Sequence, residues 1–216
     1  CDWSSDVCSS DLSDNVNLDT SSSNARFADA NVGTGKAVTV TGLTLGGTAA
    51  GNYTLTSPSG LTGNITAKGI TVTADVATKV YGDTDAVFTY QVTNGSLESG
   101  DVFTGALGRA TGETIGTYAL TQGNLDAGGN YTITFVSKNL TITKKNLTVG
   151  SAVAQNKSYD GNTTATITGA TLVGKVGTDD VALANHTSGT FPQATPGTGL
   201  AVSTTMTLTE IGRAHV

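Results

Sequence analysis

F-A-D-A-N-V-G-T-G-K-A-V, residues 27–38, returns as F-P-Q-A-T-P-G-T-G-L-A-V at residues 191–202. Phe27 maps onto Phe191, Gly33 onto Gly197, Gly35 onto Gly199 and Val38 onto Val202, at an offset of 164. Upstream, D-N-V-N-L at 14–18 answers D-D-V-A-L at 179–183 at an offset of 165, and a single-residue gap reconciles the two. A shorter echo runs through the middle. Gly51-Asn-Tyr-Thr-Leu-Thr56 recurs as Gly129-Asn-Tyr-Thr-Ile-Thr134, and Lys79-Val-Tyr81 recurs as Lys157-Ser-Tyr159. Long-range self-similarity of this kind marks a modular array, and the matched positions carry no chemistry.

The two ends read differently. Glu210-Ile-Gly-Arg-Ala-His-Val216 can be encoded by GAG ATC GGA AGA GCA CAC GTC, whose reverse complement encodes Asp6-Val-Cys-Ser-Ser-Asp-Leu12. One end is thus the antisense of the other, as translated sequencing-adapter DNA would be. Residues 1–12 and 210–216 are therefore read as adapter-derived and set aside from fold reasoning. With them go both cysteines, Cys1 and Cys8, the tryptophan Trp3, and His215, so no disulfide or Cys/His metal site is expected. Both natural ends are expected to be missing.

Setting aside Asp2, Asp6, Asp11, Glu210 and Arg213 leaves 13 acidic against 10 basic residues. A mild, mixed charge excludes the basic face of a nucleic-acid binder. Charged residues are scarce and Thr and Gly abundant, which favours strands joined by turns. No apolar run is long enough to span a bilayer as a helix.

Alternation with period two sets the expected strands. Val38 and Val40 share a face, as do Tyr53 and Leu55, and Ile70, Val72 and Ala74. Phe88, Tyr90 and Val92 make the strongest apolar face. Tyr118 with Leu120, Tyr131 with Ile133 and Phe135, Leu140 with Ile142, and Leu147 with Val149 continue the pattern. Gly46-Gly47, Asn94-Gly95, Gly128-Gly129-Asn130 and Asp160-Gly161-Asn162 are the turns between them. One short helical turn is expected at Ser96–Phe103. The echoes place boundaries near residues 69 and 145. Residues 13–69 form the C-terminal part of one module type, 70–145 a complete second type, and 146–209 the N-terminal part of another copy of the first. The expected fold is mainly β: an elongated array of small β modules, one complete and two incomplete. The expected core of 70–145 is Phe88, Tyr90, Val92, Tyr118, Leu120, Tyr131, Ile133 and Phe135.

These stretches carry a family resemblance. I-T-V-T-A-D-V-A-T-K-V-Y-G-D-T-D-A-V-F-T-Y at 70–90, with G-N-Y-T-I-T-F-V-S-K-N-L-T-I at 129–142, resembles the MBG domain of the YGX type. N-K-S-Y-D-G-N-T-T-A-T at 156–166 resembles the opening of the YDG domain. F-A-D-A-N-V-G-T-G-K-A-V-T-V-T-G-L-T-L at 27–45, with G-N-Y-T-L-T at 51–56, is similar to that domain's second half. The resemblance implies a β-grasp-like or sandwich-like fold, export to a bacterial cell surface, and a place in large adhesins of the filamentous-haemagglutinin type. It implies no catalytic residue and no cofactor. The second copy departs from the first at Pro192 and Pro196, which stand where the first has Ala28 and Val32.

Several residues invite chemistry and are better explained structurally. Asp83 and Asp85 beside Tyr81-Gly82 cover only part of a calcium loop and read as a turn. Asp179-Asp180 has the counterpart Asp14-Asn15, and reads as a turn or strand start. His186 lacks a nucleophile motif and has no counterpart in the first copy, so it reads as a surface histidine. Gly33-Thr34-Gly35-Lys36 is too short for a phosphate loop and loses its lysine in Gly197-Thr198-Gly199-Leu200, which points to a hairpin turn needing positive φ. The functional expectation is a non-catalytic stalk segment whose partners are neighbouring repeats. The alternative is weak, multivalent binding of mucin-type glycans, with Tyr81 and Tyr159 as the contacts. No nucleic acid, membrane insertion, metal or catalytic residue is expected in this segment.

Overall fold

A computed structural model describes residues 14–210; residues 1–13 and 211–216, which take in the adapter-like stretch 1–12 and all of 210–216 except Glu210, fall outside the described residues. The chain is mainly β, with nineteen strands and one short 3-10 turn (Ala50–Asn52) among the described residues. The first stretch holds β1 (Asn17–Asp19), β2 (Asn24–Phe27), β3 (Gly33–Thr41), β4 (Thr44–Gly46) and β5 (Thr62–Ile65). The middle holds β6 (Lys68–Ala74), β7 (Ala77–Val80), β8 (Tyr90–Asn94), β9 (Gly108–Arg109), β10 (Gly116–Thr121), β11 (Tyr131–Val136) and β12 (Asn139–Thr143). The last holds β13 (Thr148–Gly150), β14 (Val153–Ala154), β15 (Thr164–Thr168), β16 (Thr171–Val173), β17 (Val181–Ala184), β18 (Ser188–Thr190) and β19 (Thr207–Glu210).

Backbone proximity divides the chain into two units. The first comprises residues up to 75, 88–108 and 121–138; the second comprises 76–87, 109–120 and 139 onward. In the first unit β1 pairs with β4, β2-β3-β5 form an antiparallel sheet, and β11-β6-β8 form a mixed one. The alternation of Thr with apolar residues explains β6. Its even positions Ile70, Val72 and Ala74 are buried, while Thr71 and Thr73 lie half-buried on the other face. Sealing Ile70 and Val72 from water contributes about 1.5–3 kcal/mol each. β6 runs parallel to β11, from Lys68↔Tyr131 to Thr73↔Val136. On its other side it is antiparallel to β8, with a bulge between Thr71 and Val72.

In the second unit the order β7-β12-β10-β9 makes a four-stranded sheet. Leu140 and Ile142 of β12 and Leu120 of β10 are its buried side chains. β7 runs parallel to β12, from Ala77↔Leu140 to Val80↔Thr143. The remaining ladders are β13-β16, β14-β15-β18 and β17-β19, with Ala165 and Ile167 buried on one face of β15. Both parallel ladders share one register, since Ile70 opposes Ile133 and Ala77 opposes Leu140, each 63 positions on.

Four expectations are corrected. The buried residues of 70–145 are aliphatic rather than aromatic: in the first unit Ile70, Val72, Ala74, Leu107, Leu125 and Ala127, and in the second Leu140, Ile142 and the expected Leu120, whereas Phe88, Tyr90, Tyr118, Tyr131, Ile133 and Phe135 are half-buried and Val92 is exposed. The tyrosines keep a polar tip that needs a partner near water, so they sit at the rim. Ser96–Phe103 forms no helix; its chain reverses in a turn closed by Asp101 N–H donating to Glu98 C=O at 3.1 Å. Tyr53 and Leu55 lie in irregular chain after the 3-10 turn, where the Tyr53 hydroxyl donates to Asp14. Gly33–Lys36 is not a hairpin turn. It is a bulge within β3, where the register to β5 slips and Gly35 takes φ +61°.

Candidate functional site

The Tyr81-Gly82 pair forms a contact device in the second unit. Tyr81 follows β7 directly, and its N–H donates to Thr143 C=O at 2.9 Å, which extends the β7–β12 ladder by one residue. Gly82 then turns the chain with φ +86°. That backbone lies against Val176: a Cβ on Gly82 would stand 2.3 Å from Val176 Cγ2. The Tyr81 hydroxyl donates to Asp179 Oδ1 at 3.0 Å. This bond to a carboxylate pushes the phenol above its usual range. Beside the contact lies a hollow of about 410 Å³, walled by Ile115, Leu147 and Val181 and rimmed by Lys144, Lys145 and Lys175.

A tyrosine hydroxyl meeting an aspartate is the recurring tie of the chain. Tyr53 donates to Asp14, the repeat counterpart of Asp179, and Tyr131 donates to Asp101. Sequence reading gave Asp179 a turn or strand-start role and missed its acceptor role. Tyr81 and Asp179 are 98 positions apart, and nothing local in either segment announces the pairing.

Next to Tyr81 a cluster of four charges is closed on itself. Lys79, only 6% exposed, sits 2.6 Å from both Asp85 Oδ1 and Glu113 Oε2. Arg109, 11% exposed, meets Asp85 through Nε at 2.5 Å and meets Glu113 through Nη2. It also donates from Nη1 to Gly112 C=O at 2.6 Å and lies over the Tyr118 ring, 5.6 Å from its centre. Arg109 foremost, then Lys79, holds the Asp85 carboxyl below its ordinary value. Lys79, then Arg109, does the same for Glu113. Asp85 in turn raises both cations, with Glu113 assisting. Every shift drives its group away from neutral pH, the reverse of what general acid–base work requires. Asp83, the other carboxylate of the considered calcium loop, faces Lys145 at 3.5 Å. Asp83 and Asp85 thus face cations, and among the described residues no group of three metal-ligating side chains converges.

The two expected glycan contacts are not brought together. Tyr81 is half-buried with its hydroxyl occupied by Asp179. Tyr159 is 70% exposed and opens onto a separate hollow of about 510 Å³, which it shares with Phe191, Pro196, Gly197, Gly199 and Leu200. Lys157 crosses the Phe191 ring 5.8 Å from its centre, and its ammonium is held by Asp160 and Asn162. His186 is exposed in the turn between β17 and β18.

Comparison with known families places these elements. The sequence pattern of the MBG domain (YGX type) matches residues 70–141, and that of the YDG domain matches residues 3–60 and again 143–214. The two YDG stretches together span more than half of the chain. Both are repeat-type domains, and neither is a known enzyme family. No curated protein and no solved structure matches the chain.

Proposed function

This chain belongs to the YDG domain family and carries an MBG domain of the YGX type between its two YDG stretches, and on that premise we propose that it is a non-catalytic, load-bearing spacer segment of a bacterial surface adhesin. The observation that carries this reading is the parallel pairing of the strands that lead into the middle segment with those that lead out of it. β6 lies parallel to β11 over six residue pairs, and β7 lies parallel to β12 over four. A pull on residue 68 draws β6 toward its N-terminus, and a pull on residue 143 draws β12 toward its C-terminus. Parallel partners pulled in opposite senses slide past each other, so their evenly spaced hydrogen bonds are loaded together rather than one at a time.

Two further features support the same role. The Tyr81–Asp179 bond and the Gly82–Val176 contact tie the end of β7 to the YDG stretch after it, and so resist hinging there. The closed Lys79–Asp85–Arg109–Glu113 cluster spends its charges internally and offers no reactive group.

Single-molecule pulling of the full chain tests the reading. Loading through residues 68 and 143 is expected to need several-fold more force than loading through the register partners Lys68 and Tyr131, which peels the same ladder pair by pair. The first geometry should release about 250 Å of chain in one step, from ~3.3–3.6 Å per residue. Equal forces in the two geometries would remove the load-bearing role.

A further inference from the structure

Within the first unit, Asn130 of the MBG domain reaches the first YDG copy with both ends of its amide. Its Oδ1 accepts from the Val32 N–H at 2.9 Å, and its Nδ2 donates to Asn31 Oδ1 at 3.1 Å. An amide that commits an acceptor and a donor to two adjacent residues fixes direction as well as distance. Both partners are held ready for it. On the YDG side, the Asn31 N–H donates to Asp29 Oδ1 at 2.8 Å, and Lys36 pairs with Asp29 while donating to Asn31 C=O at 2.8 Å. On the MBG side, the Tyr131 N–H donates to Gly128 C=O at 3.1 Å, and the Tyr131 hydroxyl donates to Asp101 and accepts from the Glu98 N–H at 2.8 Å. Each half is ordered by its own domain, so little freedom is lost when they meet.

The contact lies beside the covalent joint of the two domains. β5 ends at Ile65, which pairs with Gly33, and β6 starts at Lys68, whose N–H donates to Asn130 C=O at 2.9 Å. Thr66 and Ala67 alone separate the two strands. A joint of that length still turns about its backbone torsions. A second connection, made one residue from Gly33, removes that rotation.

The second copy has exchanged every part of the receiving loop. At the offset of 164, Asp29, Asn31, Val32 and Lys36 become Gln193, Thr195, Pro196 and Leu200. Pro196 has no N–H to donate, Thr195 has no amide oxygen, and neither Gln193 nor Leu200 carries the charge that orders the first loop. The intervening glycines, Gly33 and Gly35, are kept as Gly197 and Gly199. The hairpin's own requirements and the contact to Asn130 are thus carried by different residues.

We infer that loop 29–36 is a docking loop by which a YDG copy recognises the Gly-Gly-Asn-Tyr turn of the MBG domain that follows it. The four residues Asp29, Asn31, Val32 and Lys36 decide whether such a junction is clasped or swivels, and the second copy's loop does not dock that turn. This choice of neighbour is separate from load bearing, and either holds without the other.

The test uses the full chain. Asn130→Ala removes both bonds from the MBG side and leaves the loop's residues in place. The Val32 amide is expected to exchange about five-fold faster, the scale of one lost hydrogen bond. The Asn31 amide, held by Asp29, should keep its rate. Residual dipolar couplings from β2-β3-β5 and from β11-β6-β8 should fit one alignment tensor in the parent chain and two in Asn130→Ala. Asp29→Gln, Asn31→Thr, Val32→Pro and Lys36→Leu together, which install the second copy's loop, should separate the tensors equally. Adding Asn130→Ala to them should change nothing further, as for groups that act in one contact. Should the fourfold change unfold the hairpin, Asn31→Thr with Val32→Pro, which keeps the Asp29–Lys36 pair, carries the same readout. An unchanged Val32 rate in Asn130→Ala, a single tensor in that variant or in the loop variant, or further separation in the combined one would each overturn the docking loop.

Discussion

The two YDG hairpins, 24–41 and 188–205, share a register and differ in how much of it they realise. Both place the same counterpart residues opposite each other, and both hold their second motif glycine in the left-handed region. The outer ladder recurs with a one-residue shift: Leu18↔Leu45 in the first copy maps onto Leu183 and Thr209, and in the second Leu183 pairs with Leu208. Yet the first hairpin has a nine-residue strand, and the second has a single bridge. Missing donors account for much of the difference. The Ala28 N–H donates to Ala37 C=O at 3.1 Å, and the Val32 N–H donates to Asn130 Oδ1 at 2.9 Å. Their counterparts are Pro192 and Pro196, which have no N–H. The glycine torsion thus survives where the ladder does not, because a torsion is local while a ladder needs a donor at every second residue.

Charge follows the same division. In the first hairpin Lys36 pairs with Asp29 and donates to Asn31 C=O at 2.8 Å. The second hairpin has Leu200 and Gln193 at those positions, so the ion pair is lost as a unit and neither charge is left alone.

The largest expected effect comes from giving the first hairpin the second's defect. Ala28→Pro removes one ladder bond and strands the Ala37 carbonyl, costing about 2 kcal/mol. Chemical denaturation should show the loss, and hydrogen exchange should localise it to β2 and β3. The reverse change, Pro192→Ala, is expected to leave the melting temperature nearly unmoved. The bond gained is offset by the freedom returned to the unfolded chain, roughly 0.4–1 kcal/mol. Protection of the new amide at 192 is therefore the reading that counts, and its absence would mean that the lost N–H at 192 is not what keeps this hairpin open.

A middle-sized effect should be equal in the two copies. Gly35→Ala and Gly199→Ala each put a side chain at φ above +60°, a cost of about 1–2 kcal/mol. Neither Cβ meets a neighbour within 4 Å, so torsion alone sets the cost. Unequal losses in parallel denaturation curves would break the equivalence of the two glycine positions.

The smallest effect is acid sensitivity confined to one copy. The Lys36 hydrogen bond, then the Asn31 N–H, holds the Asp29 carboxyl below its ordinary value. A depressed folded value adds stability above the unfolded one, near pH 3.9, and loses it as pH falls through the folded value. Hydrogen exchange in 28–37 should therefore quicken below about pH 4, while 192–201, which has no carboxylate at the matching site, stays unchanged. Asp29→Asn should abolish the difference.

The repeat and much of the strand periodicity and turn placement were written in the sequence, with Tyr53–Leu55 and Gly33–Lys36 as exceptions, because alternation of Thr with Val, Ile or Leu and the need for glycine at positive φ are short-range properties. Pro192 and Pro196 were visible there too, as departures between copies. What only the tertiary structure decided was partnership. That β6 lies parallel to β11 with partners 63 positions apart, that Tyr81 reaches Asp179, and that aliphatic rather than aromatic residues are the buried ones depend on which distant segments meet. Period-two patterning says which face of a strand is apolar, but not which strand lies beside it. Nor does it say whether a tyrosine turns its ring to the core or its hydroxyl to a neighbouring carboxylate.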